Sequence, residues 1–453
     1  MSLTNFKIWH FRGGVHPYDG KELSNQVPAQ YAPLLEKYYV VLRQNIGKPP
    51  KLIVEKGQHV AKGQKIAEAD GFVSAPLHAP TSGTVGDVAD IPGANGPNVP
   101  AIEIIADGKD EWDTGLEPIK DWRQADITDL RHRIAEAGIV GMGGAAFPCH
   151  IKLTPPIEKI IDTLILNGAE CEPYLTADHR LMLERTKAVL EGAAIAAKIL
   201  NVERILLGIE DNKPDAIEAL NKLADQYGVT VVPLPVRYPQ GGEKQLIYAL
   251  TGRCVMTGGL PMDVGCVVQN VGSCAAIYDA VAEGHPLIER YTTITGTPVV
   301  NPSTWIVRIG TPVREALGFA GGTKSHAAKL IMGGPMMGFA QMTLDVTVTK
   351  NTSGILLLSA KETGAYTSDP CIRCGRCVDN CPMHLQPGSI SVMVESEHFH
   401  EAEHLNVMDC MECGVCAYVC PAKRPLVQHF RRAKSEIIAE RQAAKAKAAM
   451  KHS

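Results

Sequence analysis

At 453 residues the chain is too long for one typical domain and should divide into three or four. Apolar residues make up 45% and charged residues 21%, an ordinary globular balance, and a net charge of -4 argues against a general nucleic-acid binder. The start, "MSLTNFKIWHFRGG", has no basic n-region followed by an apolar h-region, so no signal peptide is expected. The longest apolar stretches, "LEGAAIAAKIL" and "SGILLLSA", fall short of the roughly 20 residues that span a bilayer, so any membrane association should be peripheral. Thirteen cysteines without a secretory signal, eight of them in two closely repeated runs, point to metal or cluster ligation in a reducing compartment.

After an N-terminal segment (1–35), residues 36–115 have the cadence of a biotinyl/lipoyl-type β-sandwich. Within Leu52 to Val85, short strands alternate with Lys56-Gly57 and Lys62-Gly63 turns, and "APTSG" closes the unit. Carriers of this type place a modifiable lysine at the tip hairpin. Here the corresponding turn is "EADGF" with Gly71 near the tip, so a packing module is expected, with no swinging arm.

From about residue 120 to 280 helix, loop and strand alternate, which means a mostly parallel sheet with helices on its faces. "DITDLRHRIAEAG" spaces Ile127, Leu130, Ile134 and Ala137 as a helix, with Asp126 or Thr128 as cap and Gly138 as stop. The loop "GMGGAAFP" follows, then a strand ending at Asn167, one long helix over "ADHRLMLERTKAVLEGAAIAAKILN", the strand "RILLGIED", a helix, the strand "VTVVPLPVRYP", and a helix opened by "GGEKQLIYALTG". Ligands of such sheets lie beyond the carboxyl ends of the strands. Three polar or glycine-bearing groups fall there: Asn167 to Glu172, Glu210 to Asn212, and Gln240 to Lys244. The last opens a helix, whose free N–H groups suit an anion such as a phosphate, and Lys152 adds a positive charge. A lone "GMGG" reads as a plain turn; three clusters at strand ends point instead to a phosphate-bearing ligand. The loop is not Gly-x4-Gly-Lys-[Ser/Thr], which disfavours an ATPase.

Residues 281–350 include "RYTTITGTPVVNPSTWIVRIGTPVREALGFAGG", read as strands, a helix and a glycine stop. In 360–430, "CIRCGRCVDNCP" and "CMECGVCAYVCP" are each Cys-x2-Cys-x2-Cys-x3-Cys-Pro. In two-cluster ferredoxins the fourth cysteine of each run serves the other cluster. Applied here, Cys371, Cys374, Cys377 and Cys420 hold one 4Fe–4S cluster, while Cys410, Cys413, Cys416 and Cys381 hold the second. Gly375 and Gly414 sit where a side chain would crowd the cluster. A pair of zinc sites would leave the third cysteine and the Cys-Pro without a role. Between the runs, His398, His400 and His404 read as part of a polar linker helix. The segment 431–453 is a helix-prone basic tail, with seven Lys/Arg against two Glu, suited to acidic lipid, to a membrane partner, or to plain solvent exposure.

"GMGGAAFP", "NGAECEP", "YPQGGEKQLIYALTG" and "VVQNVGS" resemble, in order, segments of the flavin- and NADH-binding subunit of respiratory complex I. With the two ferredoxin runs, "FRGGVHP" and "IMGGPMMG", the chain is similar over nearly its whole length to the family of C subunits of the Rnf ion-translocating electron-transport complexes. The resemblance implies a multidomain α/β and α+β architecture: a biotinyl/lipoyl-like β-sandwich, a Rossmann-like flavin/NADH domain, a soluble ligand-binding β-grasp domain bridging it onward, and a C-terminal two-cluster ferredoxin-like helical domain. It implies FMN, NAD(H) and two 4Fe–4S clusters, with Gly141, Gly143, Gly144, Lys152, Asn167, Glu170, Gly242, Glu243 and Asn270 lining the FMN and nicotinamide site and no acid–base catalyst. Where the complex I pattern is acidic this chain has Ala169 and Lys244, making the pocket less negative.

The same resemblance implies integral-membrane and iron–sulfur partner subunits and a place at the cytoplasmic face of the bacterial inner membrane. The alternatives are a soluble flavin/iron–sulfur reductase similar to microcompartment cobalamin reductases, and a non-enzymatic electron wire. Cys149, Cys171, Cys254, Cys266 and Cys274 are read as small buried residues near the cofactor site.

Overall fold

The computed structural model describes residues 6–452 other than 365 and 368. The outermost residues of the expected N-terminal segment and basic tail, 1–5 and 453, therefore lie outside the described residues.

The first unit combines a four-stranded sheet, in the order Lys37–Val41, Asn98–Ala106, Gly83–Pro92 and His59–Val60, with a three-stranded sheet of Lys51–Leu52, Lys65–Glu68 and Leu77–His78. Alternating apolar residues point inward along these strands, so Val40, Val60, Ile66, Leu77, Ile102 and Ile104 are fully buried. Their core is continuous with that of the α/β region. At the tip turn Gly71 takes a left-handed φ of 108° and Asp70 pairs with Lys48 at 2.7 Å.

The α/β region has four parallel strands, Thr163–Asn167, Arg204–Glu210, Val229–Leu234 and Cys266–Asn270, in the spatial order third, second, first, fourth. Order reverses between the first and fourth strands, which opens a crevice at their carboxyl ends. The helices are α1 (Ile127–Glu136), α2 (Cys149–Lys152), α3 (Ala177–Glu184), α4 (Thr186–Leu200), α5 (Pro214–Ala224), α6 (Glu243–Thr251) and α7 (Val271–Tyr278). Asp126 caps α1 by accepting from Thr128 N at 2.7 Å, and Gly138 follows it with φ 66°. The single helix expected over Ala177 to Asn201 is two. Thr186 Oγ1 donates back to Met182 O at 2.6 Å, taking a carbonyl the helix needs, and Arg185 leaves helical geometry to pair with Asp279.

A six-stranded mixed sheet follows, in the order Gln30–Tyr31, Ser303–Arg308, Glu289–Thr295, Gly354–Ser359, Ala327–Met332 and Phe339–Gln341, with helix α8 (Val313–Phe319) against its core. It takes one edge from the N-terminal segment and a central strand from beyond residue 350. The last unit holds α9 (Arg376–Asp379), α10 (Pro387–Glu395), α11 (Phe399–His404), α12 (Val415–Tyr418) and α13 (Leu426–His452). Leu385, Ile390, Val394, Ala402, Phe430 and Ile437 form its core. His400 lies on the outer side of α11, 3.7 Å from Glu440 of α13.

The N-terminal segment is a strap across these units. Val15 and Tyr238 exchange backbone bonds of 2.8 and 2.9 Å, while Gly14 N donates to Asn380 O at 2.8 Å. Arg237 stacks on Phe11 and donates to Phe11 O at 3.0 Å and to Gly13 O.

Candidate functional site

Asn167 and Asn270 stand side by side in the parallel register at the ends of their strands, where strand order reverses. Asn167 Nδ2 donates to Gly241 O at 2.8 Å, and its Oδ1 accepts from Ala169 N at 3.2 Å. Asn270 Nδ2 donates to Asp178 at 2.7 Å, and its Oδ1 caps α7 by accepting from Gly272 N at 2.8 Å. The glycine loop folds over this pair. A Cβ on Gly143 would stand 3.1 Å from Asn270 Nδ2, whereas one on Gly144 would meet nothing within 4 Å. Gly141 N closes the loop onto Phe147 O at 2.8 Å.

Gly242 and Glu243 open α6, whose first turn has no side-chain cap, so its N–H groups remain available to an anion. Lys152 pairs with Glu243 at 3.0 Å and donates to Val268 O at 3.2 Å. The expected pocket residues thus gather around one crevice edge, Glu170 standing beside it next to Asp178. Glu170 is used differently: its carboxylate accepts from Asp178 N at 2.7 Å and His179 N at 3.1 Å, capping α3. Lys244 reaches away to Met256 O at 3.1 Å, and Ala169 is buried.

Several residues with no sequence signal of their own complete the site. Asp178 is held between Asn270 and Glu170, and burial, then the charge of Glu170, pushes its carboxyl up to about 7. Lys21, from the strap, is buried and donates to the carbonyls of Glu170, Glu172 and Leu175 at 2.9, 3.0 and 2.6 Å. Lys213 holds Ala169 O at 2.8 Å. Arg290 reaches up from the mixed sheet to Met142 O at 3.3 Å. A buried lysine has no periodic signature. The paired glycines of "FRGG" signal a different close approach, that of the strap to the backbone of Tyr238, Asn380 and Cys381.

In the C-terminal unit, Cys381, Cys410, Cys413 and Cys416 line one cavity, together with Met411, Val427 and Phe430 among others. Three cysteines of the second run thus meet the fourth of the first. No three such side chains close on a single ion among the described residues; a lone zinc would draw its thiolates to about 2.3 Å, whereas four thiols spread round a cavity suit a polynuclear cluster. Burial pushes Cys410 up to about 11 and Cys413 up to about 12. Such thiols stay protonated unless a bound cation takes the proton's place. Of the other set, Cys371 and Cys377 converge on Gly388, where a Cβ would lie 3.7 and 3.6 Å from their sulfurs. Cys374 is exposed and Cys420 half-buried.

The crevice and the cavity abut. A Cβ on Gly242 would stand 2.8 Å from Met411 Cε, Gln245 Nε2 donates to Pro382 O at 3.2 Å, and the Tyr238 hydroxyl donates to Cys413 O at 2.7 Å. Cys171 lies in the same joint, accepting from Gly241 N at 3.2 Å. The joint is sealed by the "IMGGPMMG" loop: Glu172 accepts from Met336 N and Met337 N at 2.7 and 2.9 Å, and a Cβ on Gly414 would stand 2.6 Å from Met336 O. Cys149, Cys266 and Cys274 are buried elsewhere in the α/β core, and burial raises all three thiols, whereas Cys254, expected to be buried, is exposed in the loop after α6.

Four family models match in succession: the RnfC barrel sandwich hybrid domain at residues 9–109, the Nuo51 FMN-binding domain at 134–279, the SLBB domain at 291–340 and the 4Fe-4S dicluster domain at 365–421. Over 438 residues the chain is 52% identical to the C subunit of the proton-translocating ferredoxin:NAD(+) oxidoreductase complex of Clostridium ljungdahlii, covering 96% of both chains. It is 45% identical to the C subunit of the Na(+)-translocating ferredoxin:NAD(+) oxidoreductase complex of Acetobacterium woodii, covering 96% of this chain and 99% of that one. The C subunit of the ion-translocating oxidoreductase complex of Pseudomonas aeruginosa is 48% identical over 95% of this chain and 56% of its own. Among solved structures, a chain of an NAD+-reducing [NiFe]-hydrogenase in the H2-reduced state superposes with a TM-score of 0.51 at 16% identity, over 73% of this chain and 69% of that one; the likeness is one of fold.

Proposed function

This chain belongs to the RnfC family, the C subunits of the ion-translocating ferredoxin:NAD(+) oxidoreductase complexes, and from that premise we propose that it is the peripheral subunit in which NAD(H), FMN and two 4Fe–4S clusters exchange electrons at the cytoplasmic face of the membrane. The observation that carries this reading is the abutment of the strand-end crevice, at Gly242, on the cavity of Cys381, Cys410, Cys413 and Cys416, at Met411. FMN, when bound, supplies the exchange between the hydride of a nicotinamide and the single electrons of iron–sulfur clusters.

The residues present fit that group. The glycine loop leaves open the space a side chain at Gly144 would fill. The uncapped first turn of α6 offers N–H donors to a phosphate. Asn167 and Asn270, fixed by their own hydrogen bonds, orient their amides at the crevice floor. Lys152 and Glu243 set the charge at its edge, Lys244 points away to Met256 O, and Ala169 removes one negative charge expected from complex I. Val15, Tyr238, Cys413 and Val415 pack as an apolar seal between crevice and cavity and keep water out of the joint.

On the crossed assignment, Cys410, Cys413, Cys416 and Cys381 hold the cluster nearer the crevice. Cys371, Cys374, Cys377 and Cys420 hold the outer one. No helix among the described residues is long and apolar enough to cross a membrane, which accords with attachment through other subunits. Kinship with the components of such complexes favours this role over a free-standing reductase. The test is anaerobic purification, assay of iron, sulfide and flavin, and addition of NADH while the visible spectrum is followed. Joint bleaching of flavin and clusters is expected. Full clusters that do not respond to NADH even after FMN is supplied would leave only a wire.

A further inference from the structure

The two cysteine runs share a backbone conformation but not an environment. Arg373 and Glu412, at equivalent positions, have φ of 55° and 59°, and Gly375 and Gly414 have φ of 79° and 80°. In the second run this surface is covered: Gly414 packs on the Met336 backbone, Met411 packs on Gly242, and Val415 is fully buried. In the first run the same surface is uncovered among the described residues. A Cβ on Gly375 would meet nothing within 4 Å, Cys374 is exposed, and Ile372 and Val378 keep 65% and 42% of their surface open.

The charges differ too. Glu412 is answered from within the chain by Arg431 at 2.8 Å and Lys434 at 2.9 Å. Its counterpart Arg373 and the exposed Arg376, where the second run has Val415, present two cations beside the apolar pair, with Asp379 at the far end of α9.

We propose that the exposed face of the first run, centred on Ile372, Arg373, Arg376 and Val378, is the docking surface for a one-electron carrier protein that presents carboxylates around an apolar contact. The second run shows what this loop shape does when covered: it places a cysteine run against an electron-exchanging partner, there the flavin unit of the same chain. The first run offers the same shape, outward, with cations added. One electron crosses, the cluster changing by one charge and the carrier by the opposite one, with no bond made and no proton moved. The identity of the group at the Cys371 set rests on the function proposed above; the surface and its charge do not.

The test uses the cluster-loaded full chain and, as probe, an oxidised acidic two-cluster ferredoxin, with binding read by calorimetry at low and high salt. Replacing Arg373→Glu together with Arg376→Glu should weaken binding at least tenfold and flatten its salt dependence, since steering charges act through screened fields. Glu at position 373 repeats what the second run carries in the same backbone conformation, so the loop accepts it. Ile372→Ser, which removes the apolar contact and leaves the charge unchanged, should weaken binding without flattening the salt dependence. Unaltered affinity in both variants, no binding by the parent, or equal binding of a basic carrier such as cytochrome c would overturn the proposal. Iron content is measured in the same samples: a parent that retains no clusters refutes the proposed function, whereas a loaded parent that fails to bind refutes only the surface.

Discussion

Gly143 faces an amide that cannot step aside. Asn270 is pinned by Asp178 at 2.7 Å and by Gly272 N at 2.8 Å, and a Cβ on Gly143 would already stand 3.1 Å from it. The methyl groups of Gly143→Val therefore go into the space the loop leaves for its ligand. The variant should purify with normal iron and little or no flavin; flavin content equal to that of the parent would remove the loop from the site. A second residue sets a pH dependence. Lys350 is fully buried, ties the first unit to the α/β region through Pro76 O and Gly138 O at 2.7 Å each, and burial lowers its ammonium to about 7 from 10.5. Between those values the unfolded chain holds a proton the folded one lacks, so stability rises with pH, by about 1.4 kcal/mol per unit for one proton. Below about 7 both states are protonated and this contribution is flat. Urea unfolding at about pH 7.5 and 9 should show the parent gaining on Lys350→Met as pH rises; a constant gap would mean Lys350 stays charged.

Among elements, α13 carries the largest burden for the cysteine cavity. Leu426, Val427, Phe430, Ala433 and Ile437 recur at helical spacing and are buried, with Phe430 also lining the cavity itself. Phe430→Ala should cost about 3–5 kcal/mol in that unit and speed iron loss to a chelator, with flavin content unchanged; iron retention like the parent's would show that the cavity closes without it. How legible such elements were follows from how local their signals are. The cysteine runs, the strand ending at Asn167 and α1 with its Asp126 cap all announce themselves within a dozen residues; the strand and the helix stand where expected, and Cys381 lines the cavity of the second run. The basic count of the tail hid that Ala433 and Ile437 belong to the core of the cluster-bearing unit. The break at Arg185 was hidden in part because the partner of its side chain, Asp279, is 94 residues away. Gln30–Tyr31, an edge of a sheet otherwise built after residue 288, is two residues long and has no pattern to read. Glu170 was expected in the pocket from its place in "NGAECEP", but only the turn into α3 shows that its oxygens are taken by backbone N–H groups.

For the whole molecule, the proposed electron exchange depends on the distance between crevice and cavity, and the N-terminal strap bridges the two. The strap pairs with Tyr238 on one side and touches Asn380 and Cys381 on the other. Gly13 has φ 80°, and a Cβ there would lie 2.7 to 2.8 Å from the backbone of Asn380 and Cys381, so any side chain is both strained and in collision. Because the obstacle is backbone, relief comes from moving the strap or the cluster-bearing unit. Lys21 anchors the strap to the crevice side through three carbonyls, which leaves the cluster side to give way. Gly13→Val should therefore separate the two centres while leaving each intact. Bound flavin should still be reduced by NADH and reoxidised by ferricyanide at the parent's rate, while bleaching of the clusters, followed by stopped flow, slows at least tenfold. Electron tunnelling falls steeply with distance, so a shift of a few ångströms is enough to be read this way. Parent-like cluster bleaching would mean that the seal of Met411, Tyr238 and the "IMGGPMMG" loop holds the centres together without the strap.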